Sequence, residues 1–154
     1  MRYPMRGFSL IELVIVVVVV SILAATVAIS FNSSKQHGVT VQADEFRRNL
    51  SSIQLLAISQ GKRLRLSVAS GDYTVKCHDA ACTSLGAVVM GPVTLTDATI
   101  TASTLDFDTL GRPLSDGSLI NTARTYTLSG SGNCVKVTVL PITGFASSGA
   151  PYAC

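Results

Sequence analysis

Residues 8–31 read FSLIELVIVVVVVSILAATVAISF, and the 19 residues from Leu13 to Phe31 carry no charge at all. Leu13 to Val20 is an unbroken apolar octet. As a helix rising ~1.5 Å per residue, the segment 8–31 would be about 36 Å long, enough to span a bilayer. In water the valine run favours a strand. In lipid an isolated strand leaves its backbone unpaired, so a helix is expected there. Two cations, Arg2 and Arg6, precede the run. A basic start, an apolar stretch and the small pair Ala24-Ala25 also describe a cleaved secretory signal, and a plain membrane anchor is a further reading. Neither explains Glu12. A carboxylate in an apolar segment costs ~2.5–3.5 kcal/mol at the bilayer centre and less near the end, and it usually implies a partner.

Outward from this segment the composition changes. The chain has 154 residues, enough for one domain of ordinary size beyond the apolar run. Charged residues are only 14% of the total, which excludes a disordered polyelectrolyte tail. Lys+Arg number 12 against 9 Asp+Glu; without Arg2 and Arg6 the balance is 10 against 9, so composition carries no nucleic-acid signal. NSSKQHG at 32–38 is polar and weakly helical, and predicts a kink or melted turn without the help of a proline. From Val39, apolar residues recur as Ala43, Phe46, Leu50, Ile53 and Ala57, one face of a helix that Gly61 ends. That face is expected to lie on a sheet.

Beyond Gly61 the period becomes two. Leu64, Leu66 and Val68 face one way, Arg63, Arg65 and Ser67 the other, and after a turn at 69–72 the alternation resumes with Tyr73, Val75 and Cys77. Further strands are predicted at 91–95, 104–107, 125–128 and 134–140, separated by Gly- and Ser-rich turns such as 111–113 and 129–133. The expected fold class is α+β, one long amino-terminal helix, apolar in its first half and amphipathic in its second, laid on an antiparallel sheet.

Gly7-Phe8-Ser9-Leu10-Ile11-Glu12, after a basic leader and before a long apolar helix, resembles the processing site of type IV pilins and type II secretion pseudopilins. The resemblance implies cleavage between Gly7 and Phe8 by a prepilin peptidase and methylation of the new Phe8 amine. It implies a leader at 1–7, a transmembrane and filament-core helix at 8–31, a stem and amphipathic helix at 32–61, and a β-rich head at 62–154. Glu12 would meet the Phe8 amine of a neighbouring subunit, a pair that sets register because misalignment strands a buried charge. The implied partners are other pilin subunits, the peptidase, the bacterial inner membrane and its assembly platform, with the head in the periplasm and then on the pilus. SSIQLLAISQGKRLRLSV at 51–68, LDFDTLGRP at 105–113 and VKVTVLPITGF at 135–145 occur in the order seen in GspH/FimT-type minor pilins. The C-type minor pilin of mannose-sensitive haemagglutinin pili is also similar. The resulting expectation is a minor pilin or pseudopilin at or near the tip of a type IV pilus or type II secretion pseudopilus.

Cys77, Cys82, Cys134 and Cys154 suit an oxidising compartment. Structural zinc needs four ligands, and only Cys77, His78 and Cys82 cluster locally, so disulfides are preferred to a metal and no cofactor is expected. Of the three possible pairings, Cys77–Cys82 with Cys134–Cys154 is favoured, since the second would tether a polar tail to a core strand. A thiol kept for joining another subunit is the competing reading. No nucleophile elbow, phosphate loop or HExxH motif occurs, His37 and His78 lie apart, and Asp106 and Asp108 read as a solvent-facing strand edge, so no enzymatic activity is expected. Arg47, Arg48, Lys62, Arg63 and Arg65 are the one basic concentration and read as a solvated face. Some FimT-type proteins bind DNA during natural transformation through carboxyl-terminal arginines. Here no Lys or Arg follows Lys136, which weighs against that alternative.

Overall fold

The stripe of apolar residues from Val39 to Ala57 decides how the head is built, because all six positions are buried to within 1% of complete. The computed structural model describes residues 10–79, 82 and 86–154, and within 25–37 the backbone alone. One helix, α1, runs over Leu10–Gln60. The melted turn expected at 32–38 is therefore replaced by helix. Asn, Ser, Lys and Gln each weaken a helix by only tenths of a kcal/mol, and one already propagating tolerates them. Gly38 also serves a contact: a Cβ there would lie 3.3 Å from the Asp97 Cβ, so glycine lets the helix and the 95–98 loop approach.

The chain divides into two compact units, Met1–Ser34 and Lys35–Cys154. In the first, every described side chain from Leu10 to Ala24 is exposed. In the second, α1 ends in a double hydrogen-bonded cap. Gly61, at a φ of 60°, donates to the Ile58 carbonyl and Lys62 to that of Ala57, the Schellman arrangement that a glycine allows without strain.

Among the described residues eleven strands follow. β1 (Leu64–Val68), β2 (Asp72–Cys77), β3 (Val88–Thr94), β5 (Ser103–Phe107), β6 (Pro113–Ser115) and β7 (Ser118–Leu119) form a six-stranded sheet ordered β3-β2-β1-β5-β6-β7. β4 (Thr99–Ile100), β8 (Arg124–Gly130), β9 (Asn133–Val139) and β10 (Ala146–Ser148) form a second, ordered β10-β9-β8-β4, with β11 (Tyr152–Ala153) also on β9. All pairings are antiparallel. β3 begins earlier than predicted and carries Gly91-Pro92 inside it, which an edge strand with register shifts tolerates. β9 ends at Val139, one residue before the prediction, because Leu140 opens the next turn. The two- and three-residue strands were not legible, since alternation needs more residues than they have.

Leu64, Leu66 and Val68, then Tyr73, Val75 and Cys77, are buried as the alternation requires, beside Leu105 and Phe107. The second sheet supplies Tyr126, Leu128, Val135, Val137 and Val139. Phe46 joins the layers: its ring meets Tyr73 edge-on at 5.0 Å and Tyr126 at 5.2 Å, one aromatic from each sheet. Asn49 Nδ2 donates to the Tyr73 hydroxyl at 2.6 Å, which satisfies the one polar atom of that ring. Burial pushes the Tyr126 phenol up to about 12, so it stays neutral in the core.

Candidate functional site

Two regions carry chemistry. In the first, Glu12 lies in the first described turn of α1. Gly7 and Phe8 lie outside the described residues. Around and after Glu12 the helix is apolar on all sides. Leu10 is 83% exposed and Ile22 is 61% exposed, and the valines from Val14 to Val20 are exposed as well. An all-round apolar helix is stable only when lipid or other helices cover it. Among the described residues no helix is long and apolar enough to cross a membrane. The side chains of the expected span 8–31 are described only for residues 10–24.

The second region is on the outer face of the six-stranded sheet. β1 and β5 pair so that Arg65 lies opposite Asp106. The Asp106 carboxylate is the one buried charged group among the described residues. Arg65 holds it in a fork, Nε to Oδ1 at 2.7 Å and Nη2 to Oδ2 at 2.9 Å. Arg63 donates its Nε to the same Oδ2 at 3.1 Å and brings its Nη2 onto it as well. Burial alone would raise the Asp106 carboxyl, but the hydrogen bonds from Arg65 and Arg63 outweigh it and hold the group below its ordinary value.

The strand-edge expectation for Asp106 is thus corrected. β5 sits between β1 and β6, and two guanidiniums roof the carboxylate. The solvated-face expectation is corrected for Arg63 and Arg65, which converge on an acid. Asp108 is different again. Its Oδ1 accepts from the Leu110 and Arg112 amides and its Oδ2 from Arg112 Nε at 2.7 Å, which closes the turn over 108–112. Burial acts to raise this carboxyl too, and the Arg112 and Leu110 hydrogen bonds bring it down. Arg47 reaches Asp44 at 3.6 Å on the helix surface.

Two disulfides are present, Cys77–Cys82 and Cys134–Cys154, with Cα atoms 6.2 and 5.3 Å apart. The second reinforces backbone pairing that is already there, since Tyr152 lies opposite Cys134 and Cys154 donates to the Gly132 carbonyl. Lys136 Nζ lies 5.1 Å from the Tyr152 ring centre on the same edge. Among the described residues no group of His, Cys, Asp and Glu is arranged to hold a metal.

Sequence reasoning missed a third feature. Gln54, one position off the buried stripe, donates through Nε2 to the Gly111 carbonyl at 2.8 Å and to the Thr143 carbonyl at 2.6 Å. It binds two distant turns to α1. A Cβ at Gly111 would lie 2.7 Å from Ile58 Cδ1, and one at Gly144 2.7 Å from both Gln54 Nε2 and the Gly111 oxygen. The glycines in the quoted turns were the available signal, but nothing in sequence ties them to Gln54.

Residues 3–28 match the family described as the prokaryotic N-terminal methylation motif. No curated protein and no solved structure matches the chain. The matched segment holds Gly7, Phe8, Glu12 and most of the apolar run, and it supports a type IV pilin-like subunit, processed by a prepilin peptidase and assembled with other pilins.

Proposed function

We propose that this chain is a structural subunit of a type IV pilus or type II secretion pseudopilus, a minor pilin or pseudopilin of the GspH/FimT kind that enters the filament at or near its tip. One observation carries the reading. The segment bearing the methylation motif continues into a helix whose apolar side chains are exposed on every side from Leu10 to Leu23, a surface that demands lipid before assembly and neighbouring helices after it. The element order supports the subtype: a long helix, the β1–β2 hairpin, the Asp108 turn and a closing β8–β9 hairpin with its edge strands.

In this reading Gly7 and Phe8 are the substrate of the peptidase, and Phe8 is methylated on its new amine. Glu12 pairs with the Phe8 amine of the subunit beside it. The head faces the periplasm, where both disulfides persist. The decisive experiment is Gly7→Val with intact-mass measurement. The expected result is full-length protein accumulating in the inner membrane; mature protein of normal mass would overturn the reading.

A further inference from the structure

At the end of α1 farthest from Lys35, three chain segments meet in a small apolar ridge. Ile58 of α1, Leu110 of the 108–112 turn, and Ile142 and Phe145 of the 140–145 turn are exposed by 47%, 67%, 65% and 60%. Gln54 binds the carbonyls of both turns, and Gly111 and Gly144 leave no Cβ between them and the helix. The ridge is therefore fixed at its base while its side chains stand out from it.

Its apex is strained. Ile142 has a φ of 67°, and Thr143 donates to the Pro141 carbonyl across it at 2.7 Å, a γ-turn of the rare positive-φ kind. A β-branched side chain in that region is an outlier, and a strained residue left this exposed points to a use outside its own domain.

Size and charge decide what covers it. A stable protein–protein contact takes about 20–30 residues a side, far more than a few side chains on two turn tips can supply. Projecting apolar tips need no matching surface where they enter a fluid apolar phase, as interfacial segments do when they bury apolar side chains about 5–10 Å into a bilayer. The 140–145 turn carries no charge, and no Asp or Glu follows Asp116 in the chain. In the 108–112 turn, Asp108 is mostly covered, held by two backbone amides and by Arg112, whose own side chain stays 42% exposed. The rim thus shows a cation and hides its acid, which suits anionic headgroups.

We infer that the ridge inserts into a lipid bilayer other than the one that holds the stem of α1. Gly38 and Ile58 are about 30 Å apart along the helix, so the ridge lies about the thickness of a bilayer core from where α1 enters the head. The inference rests on the pilin-like reading and its place at the filament tip, where no subunit lies beyond the head to cover the ridge.

The chain has no tryptophan, so Phe145→Trp places a lone fluorescent reporter on the ridge. The full chain carrying it is reconstituted in phosphatidylcholine vesicles, and acceptor vesicles of phosphatidylglycerol and brominated phosphatidylcholine are added. Bromine confined to the acceptor makes quenching a measure of entry into the second bilayer alone. The expected result is quenching with a blue shift. Ile142→Asn, which suits positive φ, should leave the melting temperature of the head unchanged or higher and weaken acceptor binding about tenfold or more, and Leu110→Ser should weaken it similarly. No quenching in the parent, or undiminished binding in either variant, would overturn the inference. So would binding that high salt abolishes, since charge and not the ridge would then hold the vesicle. Quenching only by bromine in the chain's own bilayer would overturn it as well. In cells, a photocrosslinking residue at position 145 should give lipid adducts; a discrete protein adduct, a second copy of this chain included, would count against the inference decisively. Val16→Trp separates this from the reading beneath it. Quenching at position 16 by brominated lipid in its own bilayer, with no response at 145, sinks the inference alone. No quenching at 16 overturns the pilin-like reading and the inference with it.

Discussion

The two ends of α1 obey different solvents. From Val39 to Ala57 apolar residues occupy one face, and each is buried against the sheets. From Leu10 to Leu23 they occupy every face and each is exposed. Both stretches are helical for opposite reasons. The second is helical because a stripe with the helix period has a sheet to lie on; the first, rich in β-branched valine, because a helix alone satisfies its backbone where water is scarce. A substitution should therefore be felt in folding at one end of α1 and in assembly at the other.

The largest effect on the head is expected from Phe46→Ala. It removes the ring that touches Tyr73 and Tyr126 and should lower stability by about 3–5 kcal/mol in denaturant unfolding. The proposed processing at Gly7 should continue. A melting temperature within a degree of wild type would break the comparison, because the stripe would then contribute no more than the exposed end.

Next comes Asp106→Ala, which strands Arg63 and Arg65. Losing one member of a buried pair costs ~3–5 kcal/mol, and the low end applies because both guanidiniums keep access to water. The same carboxylate sets a pH dependence. Its folded value lies below its ordinary one, so its contribution is complete above about pH 5 and is lost as pH falls below about 4. Acid titration of the wild-type head should show that loss, and the Ala variant should show a flatter profile between pH 5 and 3. Parallel profiles would remove Asp106 as the cause.

The smallest effect on the head is the most informative about the other end. Glu12→Ala should leave the melting temperature of the head unchanged, since among the described side chains no core residue of the head precedes Val39. It should reduce incorporation into filaments, read as crosslinking between stems of neighbouring subunits. Wild-type crosslinking would end the pairing role of Glu12. A fall in membrane-bound monomer would instead make Glu12 a folding residue.

How much of this was legible follows from the range of each signal. The helical stripe, its stop at Gly61 and the β1–β2 alternation are local patterns, and the residues that form them are those the spacing names. Asp106 was misread because its environment is set by register. Arg65 is 41 residues away in sequence, and only the β1–β5 pairing makes the two neighbours. The same holds for Gln54, whose acceptors lie 57 and 89 residues along the chain. The polar 32–38 stretch was read as weak because propensity was weighed without the cooperativity of the helix around it. The methylation motif needed no tertiary information, since it is one contiguous run of sequence.

The placement of Phe46 between two sheets has a mechanical consequence. A pull along α1 meets the stripe from Val39 to Ala57 in shear, so all six side chains, spread over about 27 Å of helix, must slip together. With one ring engaged in both sheets, neither can be peeled away first. Force applied through the stem should therefore detach the helix from the head in a single high-force event, whereas force applied across β3, the edge of its sheet, should unzip strands one pair at a time.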